Sequence, residues 1–127
     1  MNDYKGREMS DLAVQVTQHS GTERPFTGTY TDDERPGVYR CIVCGTVLFD
    51  AAAKFHSGCG WPSFDDVKEQ GKIKEVPDAS LPGRPRIEVR CNKCDAHLGH
   101  VFNDGPTNTG LRYCINSVAI DLESAAD

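Results

Sequence analysis

Cys41-Ile42-Val43-Cys44-Gly45 and Cys91-Asn92-Lys93-Cys94-Asp95 are the two stretches that decide how this chain folds. Each is a C-x2-C knuckle, a turn that faces both sulfurs toward one point while its backbone N–H groups donate to the thiolates. Two knuckles make the tetrahedral four-thiolate shell that zinc accepts in structural sites. The 46 residues between Cys44 and Cys91 exceed the short spacing of a compact zinc ribbon. A structural zinc on Cys41, Cys44, Cys91 and Cys94 would therefore join two hairpins distant in sequence and close a long, entropically costly loop. A redox role for either C-x2-C is the competing reading. A four-thiolate zinc keeps no open position for substrate, so any chemistry lies elsewhere.

Around the knuckles the pattern is one of short strands bounded by turns. Strands are expected over 38–41, 46–50, 72–75, 86–90, 98–102, 111–116 and 118–122. Turn chemistry at Gly58-Cys59-Gly60, Leu81-Pro82-Gly83 and Asn103-Asp104-Gly105-Pro106 separates them. A short helix is expected over 11–18 with Ser10 as its N-cap, although Leu12, Ala13, Val14 and Val16 make no clean stripe. Residues 20–37 read as a long ordered arm, and 64–70 as one or two turns of helix. No repeat beyond the knuckles and no internal boundary is evident. Residues 1–127 are expected to form one mainly antiparallel β domain, with 1–15 as an N-terminal arm and helix.

A chain of 127 residues, 38% of them hydrophobic, can bury a modest core. Its longest apolar runs, 46–49 and 118–120, are far too short to cross a bilayer. No apolar stretch of signal-peptide length follows Met1-Asn2-Asp3-Tyr4-Lys5, so a cytoplasmic setting is expected. The net charge is −5 and the basic residues are scattered, which disfavours nucleic acid as the main partner. The densest basic group, Arg84, Arg86 and Arg90, reads as a solvated strand face. Six cysteines in such a chain favour metal binding or catalysis over disulfides.

Subtracting the knuckles leaves Cys59 and Cys114. Cys59 lies between glycines in Ser57-Gly58-Cys59-Gly60-Trp61-Pro62, where the backbone is free to move. Cys114 lies within an expected strand, Arg112-Tyr113-Cys114-Ile115-Asn116, whose alternation puts Arg112, Cys114 and Asn116 on one face. A fixed cation beside a thiol lowers its pKa and populates the nucleophilic thiolate. On these residues alone, an attacking and resolving pair and two unrelated small buried hydrophobes both stay open. His97 and His100, in His97-Leu98-Gly99-His100-Val101-Phe102, can deliver a proton near neutral pH. They could equally be satisfied structural histidines, with His97 a fallback metal ligand. His19 and His56 read as structural or exposed. Trp61, the one tryptophan, is either core or the wall of a small apolar pocket.

Taken together, these segments resemble the B-type methionine sulfoxide reductases over about residues 16–122. Gly21-Thr22-Glu23-Arg24-Pro25-Phe26-Thr27-Gly28, both knuckles, the Cys59 loop through Phe64, the His97–Phe102 segment with Asp104-Gly105-Pro106, and the Cys114 segment through Ser117 all carry the likeness. The resemblance implies two antiparallel β-sheets with short N-terminal helices, and a zinc on the four knuckle cysteines. It implies reduction of methionine (R)-sulfoxide, mainly in oxidised proteins, with thioredoxin as reductant. Cys114 then maps to the attacking thiol and Cys59 to the resolving one. His97, His100 and Asn116 map to the active-site polar group, Trp61 to the methyl-binding wall, and Phe102 completes that wall. A monomer that engages neither nucleic acid nor membrane is expected. The rival from another class is a non-catalytic zinc-knuckle binding module, which leaves Cys59, Cys114 and the paired histidines without a purpose.

Overall fold

The computed structural model describes residues 1–80, 82–83 and 85–125. Leu81, which opens the expected 81–83 turn, and Arg84, of the basic group, lie outside the described residues, as do the last two positions. The described residues form two antiparallel sheets and one α-helix, α1 (Asp11–His19). The smaller sheet has the order β2 (Val47–Asp50), β1 (Gly37–Cys41), β9 (Ile120–Ser124). The larger runs β3 (Lys54–Phe55), β4 (Ser63–Phe64), β8 (Arg112–Ile115), β7 (His97–Phe102), β6 (Arg86–Cys91), β5 (Ile73–Asp78).

An aromatic cluster joins the sheets. Phe49 of β2 stacks on Phe64 of β4 at 4.4 Å between centroids, and Tyr39 of β1 meets Phe64 edge-on at 5.1 Å. These rings, with Leu48, Leu98, Val89 and Ile115, are fully buried and form the centre of the hydrophobic core. Helix α1 adds Ala13, Val16 and Thr17, an i, i+3, i+4 face that closes against β7. The sequence pattern hid this face because Leu12 is exposed and Thr17 buried. The Ser10 side chain caps the helix by accepting from the Ala13 N–H.

The two knuckles close alike. Gly45 N–H donates to the Cys41 carbonyl and Asp95 N–H to the Cys91 carbonyl, both at 2.9 Å. Each knuckle follows a strand, β1 and β6, as the sequence pattern expects.

Several boundaries differ from expectation. The N-terminal helices reduce to one, because residues before Ser10 form a loop closed by an Asn2–Glu8 bridge. That loop is pinned to β9 where Asp121 accepts from the Tyr4 hydroxyl and pairs with Arg7. No helix forms over 64–70. Phe64 pairs with Tyr113, Asp65 N–H donates to Ala53 and Lys68 N–H to Leu48, so these donors leave the local ladder a helix requires. Residues 117–119 make a 3-10 turn, which delays β9 to Ile120 and leaves Asn116 beyond the end of β8. The face carrying Arg86 and Arg90 is not an open solvated one. Arg86 pairs with Asp78 and Arg90 with the buried Glu88.

Candidate active site

Strand register puts one row of side chains on one face of the larger sheet. Glu88 stands opposite His100, His100 opposite Cys114, and Cys114 opposite Ser63. The Cys59 loop covers the Cys114 end of this row. Its sulfur lies 2.9 Å from that of Cys114, and both thiols are free. Gly58 and Gly60, at φ 79° and 89°, sit on either side of Cys59, and the loop is clamped to the arm where Phe26 N–H donates to the Gly60 carbonyl. The loop thus lies drawn in over Cys114.

Arg112 donates to the Cys114 sulfur at 2.9 Å. Its guanidinium is held by two hydrogen bonds to Asp104, at 2.8 and 3.0 Å, and lies over the Phe102 ring at 4.3 Å. Cys59 is lowered to about 4, first by the hydrogen bond from Cys114 and then, against the cost of burial, by the Ser57 and Ser63 hydroxyls. Cys114 is pushed up, first by its bond to Cys59 and then by burial, while Arg112 and Ser63 pull it down. Arg112 thus opposes the rise that Cys59 and burial impose on Cys114.

His97 and His100 face each other at 5.6 Å, each with one ring nitrogen engaged. His97 Nδ1 meets Glu88 at 2.6 Å, and His100 Nε2 meets Asp78 at 2.8 Å. Burial lowers the His97 pKa against the pull of Glu88, and its Nε2 has no hydrogen-bond partner. Asp78 is held below the usual carboxylate range, by the Ser80 N–H and then by His100. Asn116 does not join this face. Its amide donates to the Leu98 carbonyl and accepts from the Glu23 N–H, tying the arm to β7. Trp61 is half-buried, with its indole N–H donating to the Glu23 carbonyl at 3.1 Å.

Where β1 of the smaller sheet and β6 of the larger end, the sulfurs of Cys41, Cys44, Cys91 and Cys94 all lie within 4.8 Å of one another. Two of the approaches, Cys41–Cys94 and Cys44–Cys91, are 3.6 Å. Tetrahedral metal–thiolate bonds of about 2.3 Å imply sulfur–sulfur edges of about 3.8 Å, so the group fits a metal ion. His97 is not among these donors.

A family model described as "SelR domain" matches residues 9–124. The chain belongs to the SelR domain family. It is 56% identical over 119 residues to the "Peptide methionine sulfoxide reductase MsrB" of Burkholderia thailandensis, covering 93% of this chain and 82% of that one. It is 57% identical, over the same coverage, to the protein of that name from Burkholderia cenocepacia. A solved structure, the Mis18 "Yippee-like" domain, shares the fold with a TM-score of 0.57 at 18% identity, covering 73% of this chain and all of that one.

Within this SelR domain, sequence reasoning missed Ser57, Ser63, Asp78, Glu88 and Asp104. Glu88 lies between Arg86 and Arg90 in β6, and only the pairing of β6 with β7 brings it opposite His100. Asp104 stood within an expected turn, and no spacing rule links it to Arg112. Ser63 belongs to a strand of two residues, too short to carry a period.

Proposed function

We infer that this chain reduces methionine (R)-sulfoxide in oxidised proteins to methionine. The observation that carries this reading is the contact between the free thiols of Cys59 and Cys114 beside Arg112, within a chain of this family. Cys114 as thiolate attacks the sulfoxide sulfur. The sulfoxide oxygen takes a proton from His100 or His97, methionine leaves, and Cys114 becomes a sulfenic acid. Cys59 attacks that sulfur, the disulfide forms and water departs, and thioredoxin returns both thiols by exchange. Trp61 and Phe102 wall the substrate's methyl group. Asn116 holds the polar network through the arm, and Asp104 orients Arg112.

The preference of four thiolates for a borderline-soft ion makes zinc the metal for Cys41, Cys44, Cys91 and Cys94, where it supplies a structural cross-link and no open coordination position. A monomer in the cytoplasm completes the reading.

The deciding experiment follows thioredoxin-coupled NADPH consumption on separated R and S epimers. Turnover on R alone is expected. Turnover on S alone would sink the stereochemical assignment, and none on either would favour a non-catalytic zinc-knuckle module. Cys114→Ser should release no methionine even in a single turnover. Cys59→Ser should release about one methionine per enzyme and then stall with thioredoxin. Normal recycling by Cys59→Ser would remove its resolving role.

A further inference from the structure

Two hydroxyls that no step above uses lie against the reacting sulfurs. Ser63 Oγ is 3.4 Å from the Cys59 sulfur and 3.9 Å from that of Cys114. Ser57 Oγ donates to the Cys59 sulfur at 3.0 Å and lies 2.7 Å from Ser63 Oγ. Ser57 is exposed, whereas Ser63 and Cys114 are buried. The pair therefore forms a hydroxyl path from solvent to a buried sulfur. A hydroxyl can accept and donate at once, and its hydrogen rotates among partners. That of Ser63 also has the Trp61 carbonyl, at 3.1 Å, as an acceptor in reach. Register fixes the path, because Ser63 is the residue paired with Cys114 across β4 and β8.

We propose that Ser57 and Ser63 carry a proton from solvent to the hydroxyl that leaves Cys114 in the resolving step, with Ser63 the catalytic residue that hands it over. This rests on the assignment of Cys114 as attacking and Cys59 as resolving thiol. The Cys59 thiolate attacks the sulfur of the Cys114 sulfenic acid. The S–S bond forms as the S–O bond breaks, the Cys59 sulfur is oxidised and the Cys114 sulfur reduced. The electron pair of the S–O bond leaves with oxygen, which takes the Ser63 proton and departs as water. Ser63 regains a proton from Ser57, and Ser57 from solvent water. Without a donor the leaving group would be hydroxide, expelled into a buried site where an isolated charge is costly. Ser57 and Ser63 also lie within hydrogen-bond reach of the Cys59 sulfur, at 3.0 and 3.4 Å, and so can support its thiolate in the same step.

The test is a rapid-quench experiment on the metal-loaded full chain with a peptide methionine sulfoxide. Methionine release and loss of free thiols are timed separately, and a dimedone-type reagent captures sulfenic acid. Ser63→Ala should slow disulfide formation relative to methionine release by about 100-fold, the usual lower range for a positioned acid. Captured sulfenic acid should rise accordingly, and the solvent deuterium isotope effect on disulfide formation should change. Ser63→Thr, which keeps the hydroxyl, should recover most of the rate, and Ser57→Ala should show a smaller effect of the same kind. Equal slowing of both steps, or resolution by Ser63→Ala at the parent rate, overturns the relay. Cys59→Ser must leave the sulfenic acid unresolved in this assay. If it does not, the Cys59 assignment falls, an outcome separate from failure of the relay.

Discussion

Arg112 acts on Cys114 from a fixed position because its other nitrogens and its flat face are occupied. Asp104 holds Nε and one terminal nitrogen, Phe102 supports the plane, and Nη1 is left to point at the sulfur. A guanidinium favours the charged form of a neighbouring thiol, so its removal raises the pKa and thiolate formation then requires higher pH. Arg112→Met keeps the stem and removes the cation. Its acid limb of kcat/KM should move to higher pH, and activity near pH 7 should fall about tenfold for each unit of thiol pKa gained. A pH profile of methionine release checks this, and an unmoved acid limb would remove Arg112 from the activation of Cys114. Period-two alternation made the Arg112–Cys114 juxtaposition legible in the sequence. The residue that steadies the arginine was not, because Asp104 reaches it across a turn between β7 and β8 rather than along a strand.

Strands β7 and β8 form the element on which the site is built, and Gly99 sets how closely they approach. A Cβ added there would collide with the Cys114 carbonyl oxygen and lie 3.0 Å from Ile115 Cα. Gly99→Ala should therefore push β8 away, cost about 1–3 kcal/mol by overpacking, and displace Cys114 from His100. Thermal unfolding and single-turnover methionine release measure the two effects. An alanine variant with both unchanged would mean that the strand spacing is not set by this contact. Much of the strand pattern was legible, since hydrophobic alternation and turn residues bracket β1, β2, β6, β7 and β8. The helical reading of 64–70 failed because tertiary partners take its backbone donors. The arm of residues 20–37 carries no period at all, yet its Glu23 backbone binds both Trp61 and Asn116, roles that depend on where the chain returns in space.

Across the whole molecule, the four-cysteine group bridges the smaller sheet, through the knuckle after β1, to the larger, through the knuckle after β6. It shares that duty with the aromatic cluster around Phe64. Removing the metal should destabilise the fold rather than merely inhibit it, with a fall in Tm of at least about 10 °C in the presence of a strong chelator. A metal-free form that melted at the parent temperature and stayed active would count against a structural role. The C-x2-C spacing and donor chemistry by themselves determined which four cysteines gather, because a knuckle's geometry is local and two of them complete one shell. Sequence likewise put Arg112 and Cys114 on one side of a strand, because successive residues must alternate. Only the tertiary structure decided that Cys59, 55 residues earlier, rests on Cys114, that Ser63 lies opposite it, and that Asn116 turns away to hold the arm. Such contacts are set by strand register and by the path of loops between sheets, and neither leaves a period in the chain.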